Sequence, residues 1–192
     1  MLPSELTLLQ KQLEPYLQAK ESIVIGIDGR CAAGKSTLAS QLAERYDATV
    51  IPVDDFYLQA YQRTKERFNE PGGNMDRERL IKEVLHPLQC HQNFSYRPFD
   101  CKAMDFKEPR KIIFKKVMII EGSYSLHPDL FDAYDFTIFL DIDAQTQKQR
   151  IQKRNPLQVD AFLNQWIPLE EKYFKAFSIQ EKATITFQAK GF

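Results

Sequence analysis

Residues 29–36 constrain the fold of this chain more than any other feature, because they fit the pattern GxxxxGK[ST]. Residues 22–28, directly before them, form a short apolar and β-branched run that is typical of a buried parallel strand. Residues 35–46, which follow the second glycine of this pattern, carry Leu38 and Leu42 at helical spacing. The sequence therefore predicts a strand, a glycine-containing turn and a helix in direct succession.

A loop of this composition is typical of a phosphate-binding P-loop. Its two glycines let the backbone turn tightly, so that successive N–H groups and the positive end of the helix point at phosphate oxygens. We expect Lys35 to neutralise the β- and γ-phosphates of ATP, and the Ser36 hydroxyl to hold Mg²⁺. A purely structural glycine turn is the alternative. The residues predicted to bind the nucleotide are Gly29, Arg30, Cys31, Ala32, Ala33, Gly34, Lys35, Ser36 and Thr37.

Strands and helices alternate along the rest of the chain. The sequence predicts further strands at residues 49–54, 116–121, 135–141 and 183–187, and helices at residues 4–19, 76–88, 144–154 and 160–177, the last interrupted at Pro168. This alternation favours an α/β fold, a three-layer α/β/α doubly wound parallel sheet. We expect a single domain over residues 1–192, with a short lid near residues 150–160 and a substrate-side loop at residues 57–75.

Composition and charge argue against several classes of partner. Lys plus Arg and Asp plus Glu both number 26, so no overall positive field favours a nucleic acid. No apolar run has the length of a membrane span, and the first residues are unlike a signal peptide, so we expect no membrane partner and a cytoplasmic protein. The three cysteines are an odd number without CxxC spacing, which favours reduced thiols over a disulfide framework or a zinc site.

Four carboxylates come where predicted strands end, at Asp28, Asp54, Glu121 and Asp141. Because ligands of an open parallel sheet bind at the carboxyl ends of its strands, we expect these side chains to converge on one cleft. Asp54 is placed to accept a hydroxyl proton, and Ser36, Asp54 and Glu121 are the predicted magnesium site. Capping of neighbouring helices is the alternative role; it is favoured for Asp28 and evenly balanced for Asp141.

The chain resembles the uridine kinase-like group of P-loop kinases, which includes phosphoribulokinases and bacterial pantothenate kinases. The resemblance is carried, in order from residue 26 to residue 154, by GIDGRCAAGKSTLA, VDDFYL, NMDRERL, YRPFD, VMIIEGSYSL and FLDIDAQTQKQRIQKR. It implies the nucleoside monophosphate kinase-like variant of the P-loop nucleoside triphosphate hydrolase fold. It also implies transfer of a phosphoryl group from ATP, with Mg²⁺, to the hydroxyl of a small-molecule acceptor.

The resemblance also implies roles for individual residues. Asp54 matches the general base of the group, and Arg150 and Arg154 match lid arginines that clamp the transferring phosphate beside Lys35. A solvated helix face is the alternative for both arginines. The residues expected around the acceptor are Tyr57, Asp76, Phe99 and Met104. For a nucleoside acceptor, Asp76 would be the acid that holds the ribose hydroxyls.

Three departures from uridine kinases leave the acceptor open. The histidine that reads the pyrimidine is missing after Phe99 and Asp100, the lid is shorter, and Gln147 stands where the first lid arginine is expected. A nucleoside is the leading acceptor class, and the state of association, including a homo-oligomer, is open. A regulator that binds nucleotide and works through a partner is the rival hypothesis, although Asp54, Tyr57 and Glu121 together would be superfluous in a pure binder.

Overall fold

A sheet of five parallel strands forms the centre of the protein, whose computed structural model describes residues 3–189. The strand order is β2-β7-β1-β8-β9, and two small antiparallel hairpins, β3-β6 and β4-β5, lie outside the sheet. The strands are β1 Ile23–Gly29, β2 Thr49–Pro52, β3 Phe94–Tyr96, β4 Phe99–Asp100, β5 Asp105–Phe106, β6 Arg110–Ile112, β7 Val117–Glu121, β8 Phe136–Ile142 and β9 Ile185–Ala189.

Helices connect and cover the strands, which confirms the predicted α/β fold. They are α1 Pro3–Ala19, α2 Lys35–Tyr46, α3 Lys65–Asn69, α4 Arg77–Leu80, α5 His86–Gln89, α6 Pro128–Phe131, α7 Ala144–Arg154, α8 Val159–Ala161, α9 Ile167–Phe177 and α10 Ile179–Lys182. Across residues 3–189, none of these helices combines the length and the apolar character needed to span a bilayer.

Two hydrophobic cores lie on opposite faces of the sheet. In β7, Val117 and Ile119 belong to the core that also contains α1 and α2, whereas Met118 and Ile120 belong to the other core. This division follows from the period of two along a strand, which sends successive side chains to opposite faces. Because both faces of β7 are buried, its sequence is an uninterrupted apolar run rather than an alternating one.

The second strand is shorter than the sequence predicted. It ends at Pro52 instead of Asp54, and Val53–Phe56 forms a turn of 3₁₀ helix. Pro52 is tolerated because β2 is an edge strand, paired on one side only with β7. The tight turn places Asp54 and Asp55 on different sides of the backbone, which decides their roles below.

Two of the predicted helices, those at residues 76–88 and 160–177, contain a π-helical turn just before a proline. Ile81–Leu85 separates α4 from α5 ahead of Pro87, and Phe162–Trp166 separates α8 from α9 ahead of Pro168. A proline cannot donate the backbone hydrogen bond of an α-helix, and the wider turn accommodates this loss without ending the helix. The interruption predicted at Pro168 is therefore a local widening of a continuous helical segment.

A buried carboxylate, Asp28, ties three parts of the chain together at the end of β1. It accepts hydrogen bonds from the backbone N–H of Gly29 at 2.7 Å and Leu126 at 3.0 Å, and from the Tyr173 hydroxyl at 2.8 Å. The N–H of Tyr124 approaches at 3.3 Å. Asp28 thus joins the start of the phosphate loop to the segment after β7 and to α9. The helix-capping role favoured for it from the sequence is wrong, because none of these donors is a backbone N–H in the first turn of a helix.

Burial raises the pKa of Asp28 to about 6, from an ordinary value of 3.8. The native state therefore binds more protons than the unfolded chain between about pH 4 and pH 6, and the stability that Asp28 contributes falls as pH rises through this window. In urea unfolding, the free-energy difference between wild type and Asp28→Asn should fall by about 3 kcal/mol across it. A difference that is independent of pH would contradict this prediction.

Candidate active site

A cleft of about 550 Å³ opens where β1, β2 and β7 end. The phosphate loop forms its floor, the segment from Asp54 to Asn74 forms one wall, and the helical segment around Trp166 forms the other. The sequence-predicted residues that line it are Cys31, Ala32, Gly34, Lys35, Ser36, Thr37, Asp54, Tyr57, Glu121 and Arg154.

The phosphate loop owes its shape to its two glycines. Gly29 has a φ of 135°, and a Cβ atom there would lie 2.1 Å from the carbonyl oxygen of Leu140, so the position excludes any other residue. Gly34 has a φ of 106° and precedes the first residue of α2, Lys35. The N-terminus of a twelve-residue helix therefore faces the cleft, where its free N–H groups favour an anion.

Lys35 is held inside the loop that it follows. Its Nζ donates to the carbonyl oxygens of Gly29 at 2.6 Å and Arg30 at 3.3 Å, and to the Ser123 hydroxyl at 3.3 Å. All three partners are neutral groups, and no carboxylate oxygen among residues 3–189 lies within 4.0 Å of the ammonium. That arrangement suits a lysine that binds an anionic ligand in the cleft.

Four oxygen-bearing side chains form two hydrogen-bonded pairs beside the loop. The Ser36 hydroxyl donates to Glu121 Oε2 at 3.2 Å, and the Tyr57 hydroxyl donates to Asp54 Oδ1 at 3.0 Å. Burial, together with the negative charge of Asp54, raises the pKa of Glu121, while the Ser36 hydrogen bond acts in the opposite direction. Two neighbouring carboxylates and a hydroxyl are hard oxygen donors of the kind Mg²⁺ prefers, so the donor set fits this ion.

No cluster of three His, Cys, Asp or Glu side chains with the geometry of a metal site occurs within residues 3–189. Magnesium sites that use a bound triphosphate need only one or two carboxylates, because phosphate oxygens and water complete the octahedron. The pair of Asp54 and Glu121 with the Ser36 hydroxyl is therefore compatible with a shared protein and nucleotide site.

Three of the loop residues predicted to bind nucleotide, Gly29, Arg30 and Ala33, do not line the cleft. The Arg30 guanidinium turns away and pairs with Asp141, and also with Glu171 of α9 through contacts of 2.6 Å and 3.0 Å. These pairs leave the backbone of Arg30, rather than its side chain, facing the loop interior. Asp141 therefore holds the phosphate loop through Arg30, and its carboxylate does not line the cleft as the sequence predicted.

The predicted lid residues contact the phosphate loop in different ways. Arg154 lines the cleft, whereas Arg150 Nη1 donates to the carbonyl oxygen of Ala32 at 3.0 Å. Gln147 is buried, and its Nε2 donates to the carbonyl oxygen of Cys31 at 3.1 Å. The glutamine that replaces an expected arginine thus supports the loop backbone rather than a ligand.

Of the four residues predicted around the acceptor, only Tyr57 lines the cleft. Asp76 is 2% exposed and caps α4, where its carboxylate accepts the N–H of Arg79 at 3.1 Å. Phe99 is buried against the ring of Phe106, with ring centroids 5.4 Å apart. Met104 lies in the β4-β5 turn with a φ of 55°. The structure does not bring these three side chains to the cleft.

Sequence reasoning missed a buried acid in α9. Glu170 is 4% exposed and lines the cleft, where it accepts the Ser123 hydroxyl at 2.6 Å and the N–H of Cys31 at 3.0 Å. Because Ser123 also accepts from Lys35, one chain of hydrogen bonds runs from the loop lysine to the helix. A glutamate within an ordinary amphipathic pattern gives no signal for this role, since the contact spans 139 residues.

The thiol of Cys31 is less reactive than a position at a helix N-terminus suggests. Burial, reinforced by the charge of Glu170, raises the pKa of this thiol to about 12. Iodoacetamide at neutral pH should therefore modify Cys31 at least about a hundredfold more slowly than the exposed Cys90, because only the thiolate reacts. Peptide mass spectrometry measures both rates, and the urea-unfolded protein, where all cysteines should react, is the control. Similar rates in the native protein would contradict the prediction.

Comparisons with known proteins agree with the motifs. A uridine kinase from Clostridium tetani is 26% identical over 163 residues, which cover 78% of this chain and 77% of that protein. No protein-family model matches the chain.

Solved structures show the same fold. A possible uridine kinase from Bacillus stearothermophilus superposes with a TM-score of 0.67 at 19% identity, covering 93% of this chain and 98% of that chain. A phosphoribulokinase from Rhodobacter spheroides has a TM-score of 0.56 at 13% identity, covering 88% of this chain and 71% of that chain. These likenesses confirm the P-loop fold and the predicted resemblance to uridine kinase-like P-loop kinases.

Proposed function

We propose that this relative of the uridine kinase-like P-loop kinases transfers the γ-phosphate of ATP to a hydroxyl group of a small-molecule acceptor. The observation that carries the proposal is the meeting, in one cleft, of the phosphate loop with the Ser36–Glu121 pair and the Asp54–Tyr57 pair. A phosphate loop alone serves any nucleotide-binding protein, whereas a carboxylate beside it serves the deprotonation of an acceptor.

In this proposal Asp54 is the general base. The Tyr57 hydroxyl holds Asp54 Oδ1 at 3.0 Å, and burial raises the pKa of Tyr57, so that the phenol keeps its proton and remains a donor. That hydrogen bond orients the carboxylate, and its second oxygen, Oδ2, takes the proton of the acceptor hydroxyl. Lys35 and Arg154 stabilise the negative charge that spreads over the transferring group.

Ser36, Asp54 and Glu121 would hold Mg²⁺, directly or through water, together with the phosphate oxygens. The ion would neutralise phosphate charge and help to orient the γ-phosphate. The protein's own contribution is the spacing of these oxygens, which follows from the parallel pairing of Pro52 in β2 with Glu121 in β7. That pairing brings the ends of both strands to the same cleft.

Two observations bear on the class of acceptor. Relatives named uridine kinase favour a nucleoside, but Asp76, the acid expected to hold ribose hydroxyls, caps a helix instead. We therefore propose a small hydroxyl-bearing metabolite in the cytoplasm, with nucleosides as the first class to assay. Neither a nucleic acid nor a membrane is part of the proposed reaction, and the same cleft would serve a monomer or an oligomer.

The rival hypothesis is a nucleotide-binding regulator with weak ATPase activity. An assay that couples ADP release to a panel of nucleosides, pantothenate, sugar phosphates and glycerate separates the two hypotheses. A kinase gives turnover that depends on one acceptor and exceeds basal hydrolysis, whereas a regulator gives only the basal rate with every compound.

Lys35→Ala should abolish this acceptor-dependent turnover while the protein stays folded. The loop lysine carries the charge that the phosphates require, and its present partners are two carbonyl oxygens and a hydroxyl. Lys148→Ala, at an exposed position of α7, is the matched control and should retain full activity. Turnover is measured for both variants, and circular dichroism checks that both are folded. Activity retained by a folded Lys35→Ala variant would contradict the assignment of the phosphate loop.

Asp54→Asn should lower kcat by at least about a hundredfold with ATP affinity within a few-fold of wild type, as expected for loss of a general base. Asp55→Asn is the matched control, because Asp55 Oδ2 accepts the Tyr96 hydroxyl and Arg110 Nη1, each at 2.7 Å, outside the cleft. It should alter stability rather than kcat. If Asp54→Asn loses ATP binding and keeps kcat, Asp54 is a metal ligand only.

A further inference from the structure

Two cationic side chains from outside the phosphate loop, Arg63 and Lys102, line the cleft. Arg63 comes from the substrate-side loop, and Lys102 comes from the turn between β4 and β5. The two segments touch, since Arg63 Nη2 lies 3.5 Å from the Sγ atom of Cys101. Segments far apart in the sequence therefore both contribute a positive charge to the lining of one cleft.

The Arg63 guanidinium is anchored relative to the proposed base. Its Nε donates to the carbonyl oxygen of Leu58 at 3.0 Å, and Leu58, 1% exposed, directly follows the Tyr57 that holds Asp54. The known acceptors of this guanidinium are thus a carbonyl and a weakly accepting thiol. Its fork keeps donors for a further partner in the cleft.

Neither cation is neutralised by the protein in the described part of the chain. Within residues 3–189, no carboxylate oxygen lies within 4.0 Å of the side-chain nitrogens of Arg63 or Lys102. By contrast, Arg30, Arg67 and Arg110 each pair with a carboxylate. An arginine and a lysine that line one cleft without a carboxylate partner favour an anionic ligand.

The lining of the cleft carries acids as well as two sets of cations. Lys35 and Arg154 serve the phosphates in the proposed reaction, whereas Arg63 and Lys102 come from segments outside the phosphate loop and the lid. A neutral polyol would leave Arg63 and Lys102 without a partner. A molecule with a hydroxyl and an anionic group would engage Asp54 and these two cations together.

We propose that the acceptor carries an anionic group, a carboxylate or a phosphate, that Arg63 and Lys102 bind while its hydroxyl faces Asp54. This inference rests on the proposed function, because it identifies the class of acceptor for the same cleft. It departs from a plain nucleoside, which has no such group, and it assigns the loop at residues 57–75 a role in charge selection.

The anion site can be tested without any catalysis, because Cys101 lies against Arg63 and is exposed. Iodoacetate and iodoacetamide react with the same thiolate, forming one S–C bond and releasing iodide, but only iodoacetate is negative. We expect the ratio of the iodoacetate rate to the iodoacetamide rate to be at least about fivefold higher at Cys101 than at Cys90, the exposed reference. Arg63→Gln or Lys102→Gln should remove the excess, and Arg45→Gln should leave it. Equal ratios at both cysteines of the wild type would overturn the anion site.

The acceptor preference is tested with pairs that differ in charge. D-Glycerate against glycerol tests a carboxylate, and a sugar phosphate against its parent sugar tests a phosphate. In the matching pair we expect kcat/KM to be roughly tenfold to a hundredfold higher for the anion, the range of charge-assisted hydrogen bonds. Arg63→Gln should bring the two values of kcat/KM together mainly by lowering that of the anion, while Arg45→Gln should keep the preference.

The two experiments separate failure of this inference from failure of the proposed function. Turnover with neutral acceptors at rates equal to those of their anionic partners would overturn the inference and leave the kinase intact. A charge-dependent ratio at Cys101 without turnover on any acceptor would support the anion site and count against the kinase. A variant of Arg63 that slows both members of a pair equally would reduce Arg63 to a structural role.

Discussion

The buried carboxylate of Asp28 is the interaction on which the geometry of the cleft depends. Burial of this acid at the end of β1 removes it from water, and four hydrogen-bond donors offset the free-energy cost of that desolvation. Those donors belong to the first residue of the phosphate loop, to the segment after β7 and to Tyr173 of α9. One acid therefore sets the distance between the phosphate loop at the floor of the cleft and α9, which forms part of its wall.

A second set of contacts makes the loop and α9 one mechanical unit. Glu170 accepts the N–H of Cys31 and the Ser123 hydroxyl, and Glu171 of the next helical position pairs with Arg30. These adjacent glutamates of α9 therefore hold the phosphate loop from two sides, because Glu170 lines the cleft and Glu171 does not. A displacement of α9 would therefore also displace the phosphate loop, because charged hydrogen bonds join the two.

The floor of the cleft and the wall formed by residues 54–74 differ in how they are built. The floor uses strand ends and a helix N-terminus, which any P-loop fold provides, and the likeness to solved structures extends over that framework. The wall uses an irregular segment closed by an isolated β-bridge between Tyr57 and Met75, and the four-residue turn between β4 and β5 also contributes to the lining. Loops of this kind vary without altering the fold, so relatives named for one acceptor do not fix the acceptor of this chain.

Local patterns in the sequence determined the framework of this protein. The glycine loop, the apolar strand runs and the acids at strand ends predicted the parallel sheet and the joint position of Lys35, Ser36, Asp54 and Glu121, because neighbours along the chain suffice to specify them. Only the tertiary structure decided that Asp76 caps a helix, that Phe99 packs inside a hairpin, and that Glu170 and Arg63 enter the cleft. Those outcomes depend on contacts between segments up to 139 residues apart, and a side chain in a turn or on a helix faces whatever partner the packing brings to it.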